Sequence, residues 1–205
     1  MKRLTKSQQQ LLSLAREPVP KGCELCLISA RQDGSGVTTV LDRIANDDQA
    51  ASKQIVLCAP GAWDAVMGLV QTAGPKHYGC GYLDTLWRTL KTLSGPSREP
   101  LTLWMDDVRY MRLVDREMLV CLIEWVAQQL KISIRLVMIV GPVRVFISHQ
   151  QGRERQCIQA PRLMERKGTR LFEMTAAGMN ELEDATTMFT PRERKPDEQT
   201  AVKIA

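Results

Sequence analysis

Apolar residues in this chain arrive in short runs closed by glycine or proline, and the runs alternate between two kinds. Stretches 25–29, 53–58 and 101–105 are compact and rich in Leu, Ile, Val and Cys, which predicts strands. Stretch 134–140 is almost uninterruptedly apolar, the pattern of a strand covered on both faces. Between these runs the apolar positions take helical spacing. They predict a helix of about ten residues from Thr38 (Val40, Leu41, Ile44 and Ala45 in phase), then helices near 63–72, 82–93 and 114–130. Ala73-Gly74-Pro75 and Ser94-Gly95-Pro96 are helix stops. In the last helix Met118, Leu119, Leu122, Ile123, Trp125 and Val126 form a broad apolar face.

The ends are less regular. A leading helix is expected over about 5–16, ended by Pro18-Val19-Pro20-Lys21-Gly22. After Gly141-Pro142 the pattern predicts a helix near 143–150, a basic connector, a short strand over 170–174, and a capped final helix over 175–182. From about Thr190 the chain is charged and poor in apolar residues, a composition that predicts disorder. Strands alternating with helices imply an α/β fold, a three-layer sandwich around a parallel sheet of about five strands. The organisation expected is an N-terminal helix and linker (1–21), one α/β domain (22–189) and a disordered tail (190–205). On such sheets ligands bind beyond the carboxyl ends of the strands.

Bulk properties narrow the field. No apolar run approaches the roughly 18 residues of a membrane span. The basic opening residues lead into no apolar stretch, unlike a secretory leader, so a cytoplasmic protein is expected. The six cysteines include Cys23 and Cys26 at metal-like spacing, but there is no second such pair and the chain has two histidines, His77 and His149. Cys26, Cys58 and Cys121 lie in apolar runs and read as small hydrophobes, and the four tryptophans read as core residues, with Trp63 the one placed for exposure. The net charge of +5 is uneven. Between Arg144 and Arg170 seven basic residues face two acidic ones, a stretch suited to nucleic acid or a partner through Arg153, Arg155 and Arg162, or to a solvated surface.

The candidate chemistry lies in Asp33-Gly34-Ser35-Gly36-Val37-Thr38-Thr39, between the first strand and the first helix of the alternation. A phosphate-binding loop reads G-x-x-x-x-G-K-[ST], its backbone N–H groups and helix N-terminus cradling phosphates, its lysine reaching the β/γ oxygens and its hydroxyl holding Mg²⁺. With Gly36 as the second glycine, Arg31 takes the first glycine's place and Val37 the lysine's, while Thr38 keeps the hydroxyl. The nucleotide-binding set is therefore Gly34, Ser35, Gly36, Val37, Thr38 and Thr39. A second element, 101–105, ends in Asp106-Asp107. In phosphate-loop enzymes the first carboxylate holds Mg²⁺ and a following acid orients water. Thr38 and Asp106 are the metal candidates, and Asp106 and Asp107 the degenerate catalytic pair.

In its order of elements the chain resembles a AAA+ ATPase core, most nearly the secretion- and transposition-associated ATP-binding proteins of bacteria. The likeness covers about 22–185, including the Val137-Met138-Ile139-Val140-Gly141-Pro142 turn and the 158–182 segment with Arg162, Arg170, Phe172, Met174 and Thr175. It implies a P-loop NTPase-like fold, an ATP/Mg²⁺ site, an oligomer and a protein partner. The departures at Arg31, Val37 and Asp107, and the lack of a complete helical lid, imply a pseudo-ATPase that binds ATP/Mg²⁺ weakly or not at all and acts as a regulatory or assembly protein. The alternatives are a weak ATPase driving assembly of a secretion or DNA-transaction complex, and a nucleic-acid-binding accessory protein.

Overall fold

The computed structural model describes residues 4–30, 37–74, 79–140, 144–147, 155–158, 163, 166, 168–175 and 178–181. Four parallel strands lie where the apolar runs predict them: β1 (Cys23–Ala30), β2 (Lys53–Cys58), β3 (Leu101–Asp106) and β4 (Ile134–Val140). Four more follow β4. They are β5 (Arg144–Ile147), β6 (Arg155–Ile158) and β7 (Arg170–Thr175), and β8 (Gly178–Glu181) closes the series. The helices are α1 (Lys6–Arg16), α2 (Val37–Ile44), α3 (Ala62–Ala73), α4 (Tyr82–Ser94) and α5 (Leu113–Leu130).

The main sheet runs β2-β3-β4-β1-β7-β8, with the first five strands parallel and β8 antiparallel to β7. From β1 the chain crosses outward to the edge at β2, then returns through β3 to β4 beside its starting strand. Right-handed crossovers in opposite directions must lay their helices on opposite faces. That is what is found: α1 and α2 cover one face, while α3, α4 and α5 cover the other, each over its own apolar cluster. Alternate residues of one strand serve the two clusters, Leu25 and Leu27 on the α5 side and Cys26 and Ile28 on the α2 side.

Helix α1 begins with a full capping box, in which Thr5 and Gln8 each bond the other's backbone N–H. Leu11, Leu14 and Ala15 enter the same core as α2. Its carboxyl end is held by Arg135 of β4, whose side chain is only 1% exposed. The guanidinium donates to the carbonyls of Leu14 (2.8 Å), Glu17 (3.1 Å) and Pro18 (2.9 Å) and pairs with Glu24 at 2.5 Å. A buried cation is tolerated only when its donors are met in this way. Arg170 extends the network to Glu17 and Glu24.

Several expectations are corrected. The segment near 143–150 is not helical where it is described: Val145, Phe146 and Ile147 are β-branched or aromatic and pair antiparallel with Arg155–Ile158 in a separate two-stranded ribbon. The final helix over 175–182 is instead strand β8, which folds back on β7 with Met174 opposite Met179. Cys58 and Cys121 are exposed rather than buried hydrophobes. Trp104 is fully buried, its indole N–H donating to Gln54 at 2.7 Å, but Trp125 is 44% exposed and leans on Trp87 at 5.9 Å between ring centroids. Met118 is exposed as well, so the apolar face of α5 is wider than its core contact. The tail over 190–205 lies outside the described residues.

Candidate functional site

Strands β1 and β3 flank β4 in parallel, so the carboxyl end of β1 and the acids ending β3 lie at the same edge of the sheet, one strand apart. Helix α2 carries an apolar stripe at Val37, Val40, Leu41 and Ile44, spaced i, i+3, i+4, i+7 and seated in the core. That stripe sets the rotation of the helix. Thr38, one residue out of phase, turns toward the carboxyl end of β3, where its Oγ1 donates to Asp106 Oδ2 at 3.0 Å. The hydroxyl and the acid proposed as metal ligands from sequence are thus brought together across 68 residues of chain. Thr39 is exposed beside them.

Val37 has the opposite fate. It is 6% exposed and belongs to the apolar cluster between α2 and the sheet. Where a phosphate-loop lysine would stand, this chain has a core residue that starts the helix stripe. Gly34, Ser35 and Gly36, with Arg31, lie outside the described residues.

The acidic pair divides in role. Asp106 Oδ1 accepts from the backbone N–H of Asp107 at 2.9 Å, so each carboxylate oxygen already receives one hydrogen bond. Asp107 sits in the left-handed region at φ 58°, a conformation that Asp tolerates better than most residues. It opens a 3₁₀ turn over Val108–Tyr110. Its carboxylate accepts from the Cys58 thiol at 3.4 Å and lies 4.0 Å from the Arg109 guanidinium. Burial first, then the hydrogen bond to Asp107 and the charges of Asp107, Asp106 and Asp64, push the Cys58 thiol above its usual range, so it remains a protonated donor. The turn itself is anchored from below. Buried Arg116 of α5 donates to the carbonyls of Met111 (3.0 Å) and Arg109 (2.9 Å).

Sequence reasoning missed three of these groups. Cys58 ends β2 opposite Asp106 in the β2–β3 register, a placement that requires knowing which strands pair. Arg109 and Arg116 carry no motif, although their spacing from Asp106 puts both next to the loop that follows it.

Among the described residues, no group of three or more His, Cys, Asp or Glu side chains could hold a metal ion. Thr38 and Asp106 could supply two oxygen ligands. That suits Mg²⁺, which keeps several waters and arrives with phosphate, better than a metal caged by protein alone.

The basic segment is partly consumed within the fold. Arg166 pairs with Glu124 and donates to Cys121 Sγ at 3.4 Å, and Arg170 pairs with Glu17 at 2.8 Å. Arg155 begins β6, in the ribbon that leaves the carboxyl end of β4, while Arg153 and Arg162 lie outside the described residues. No helix among the described residues is long and apolar enough to cross a membrane. Comparison of the chain with protein-family models, with curated proteins and with solved structures finds no match.

Proposed function

We propose that this protein is a pseudo-ATPase: a degenerate P-loop, AAA+-like domain that no longer hydrolyses nucleotide and acts as a regulatory or assembly protein through a protein partner. One juxtaposition carries the reading. Thr38 and Asp106, the hydroxyl–carboxylate pair that would share a magnesium ion, meet at 3.0 Å, while the adjacent position 37 is a buried valine. A site drifting without constraint would have no reason to keep the first feature. A working enzyme could not afford the second, because γ-phosphate transfer rests on charge compensation by lysine and metal.

Asp107 adds to the argument. An acid that must orient water needs a carboxylate free to do so, whereas this one accepts from Cys58 and lies near Arg109. Within this reading ATP/Mg²⁺ is a weak structural ligand at most, held by the 34–39 segment, Thr38 and Asp106.

The role is tested by complementation in the protein's own cell. A strain lacking the protein should be restored by Asp107→Asn as fully as by the wild type, because no hydrolysis is required. Failure of a folded, normally abundant Asp107→Asn variant to complement would count against a non-hydrolysing role.

A further inference from the structure

Strand β2 is an edge strand: β3 pairs with one side of it, and no strand pairs with the other among the described residues. The hydrogen bonds at its ends reveal which groups remain outward. Lys53 N–H donates to Pro100 and Ala59 N–H to Asp106, both on the β3 side. With a period of two, the N–H groups of Ile55 and Leu57 also face β3, so those of Gln54, Val56 and Cys58 face outward with their carbonyls. The lower end is screened by α1, whose Ala15 carbonyl takes bonds from Ala51 N–H and the Gln54 side chain. At the upper end, Val56 to Cys58, the outward backbone groups take no such bond among the described residues.

Beside that upper end lies a cleft of about 550 Å³ between β2 and the outer flank of α3. Its helix wall is the stripe Asp64, Met67, Gly68, Gln71 and Thr72. Gly68 is what lets the wall stand close, since a Cβ there would lie 2.9 Å from Leu57 Cδ2. The nine residues from 64 to 72 span about 13 Å of helix, the length of about four extended residues. Natural sheets blunt exposed edges with charge, proline or bulges. The Val56–Cys58 stretch has none of these.

We infer that this edge and cleft form a binding site for an extended peptide segment of a partner protein, added as a further strand beside β2. A basic side chain of that peptide would face Asp64. Backbone pairing to Val56 and Cys58 supplies affinity, and side chains alternating into the cleft supply selectivity. Charge decides the occupant. Asp64 has no cationic partner among the described residues, and Asp106 and Asp107 stand around Cys58 at the same end. An apolar side chain two residues from the basic one would share its face of the sheet and rest against Met67. Val56, Asp64 and the α3 wall take no part in the nucleotide chemistry, so the proposal stands or falls separately from the pseudo-ATPase reading.

The test is selection of displayed random decapeptides against the whole chain, followed by synthesis of the strongest binder. The selected set should be enriched in Lys or Arg at one position. N-methylation at alternate peptide residues should weaken binding about tenfold, and at the intervening residues hardly at all, as single-edge backbone pairing demands. Asp64→Asn should weaken binding about threefold, the scale of an exposed ion pair. Val56→Pro, which removes an outward N–H without touching the β3 ladder, should abolish it. If Val56→Pro fails to fold, the methylation scan and Asp64→Asn decide. Selection of no peptide, or of peptides indifferent to these changes, would overturn the proposal. So would concentration-dependent dimerisation through this edge, since the occupant would then be a second copy of the chain.

Discussion

Val37→Lys places the lysine of the phosphate-loop motif where this chain has valine, and the structure predicts what that costs. Val37 is 6% exposed and is the first residue of the α2 stripe. Withdrawing a buried valine from the core forfeits about 1.5 kcal/mol or more. A cation in the first turn opposes the helix dipole by a further few tenths. The lysine stem can lie along apolar surface and recover part of the first loss. A net destabilisation of about 1–2 kcal/mol follows, which for a chain of this size lowers Tm by about 2–8 °C.

The second half of the prediction concerns nucleotide. If residues 34–39 still cradle phosphate, the new ammonium gains a partner when ATP and Mg²⁺ are present. A ligand at a hundred times its Kd adds about 2.7 kcal/mol, enough to recover the loss. Thermal unfolding of wild type and Val37→Lys with and without MgATP is the assay. A variant as stable as wild type without nucleotide would refute the placement of Val37 in the core. A variant that is destabilised but indifferent to MgATP would refute the retained cradle.

Arg135→Met should cost about 3 kcal/mol, because it strands three backbone carbonyls and leaves Glu24 with only the longer Arg170 contact, and hydrogen exchange should speed first at the end of α1. Alkylation at pH 8.5, followed by peptide mass spectrometry, should modify Cys80 and Cys121 quickly and leave Cys26 unmodified, since burial pushes the Cys26 thiol up to about 12. The Arg16 hydrogen bond holds Asp47 below the usual carboxylate range. Its contribution is present above the unfolded carboxylate pKa and fades as pH falls through the lower folded value, so Asp47→Asn should flatten the acid limb of the stability–pH curve.

What could be read from the chain alone depended on how local the signal was. Strands β1, β3 and β4 announced themselves because burial on both faces requires continuous apolar runs, β2 through the shorter run Ile55-Val56-Leu57, and α3 and α4 because glycine ends each of them. Strand β8 follows β7 after Ala176-Ala177, a pair with none of the usual turn chemistry, so nothing nearby signalled a hairpin. The β5–β6 ribbon is two four-residue strands joined through pairing at a distance, and Val145-Phe146-Ile147 alone fits a helical turn as well as a strand. At the site, Thr38 and Asp106 were legible because each sits beside a recognisable motif. Val37 was legible as the residue at the motif's lysine position but not as a core residue. Its burial follows from the phase of α2, which the sequence suggested only from Val40 onward. Cys58 and Arg116 act through strand order and helix packing, and no spacing within the sequence encodes those.

The central claim is that the scaffold of a nucleotide site persists here without its catalysis, and ATP turnover measures that directly. Purified wild-type protein and Asp106→Ala should release phosphate from ATP in the presence of Mg²⁺ at the same background rate. Turnover well above background in the wild type that disappears in Asp106→Ala would contradict the account, because the buried valine and the engaged Asp107 would then be no barrier to hydrolysis.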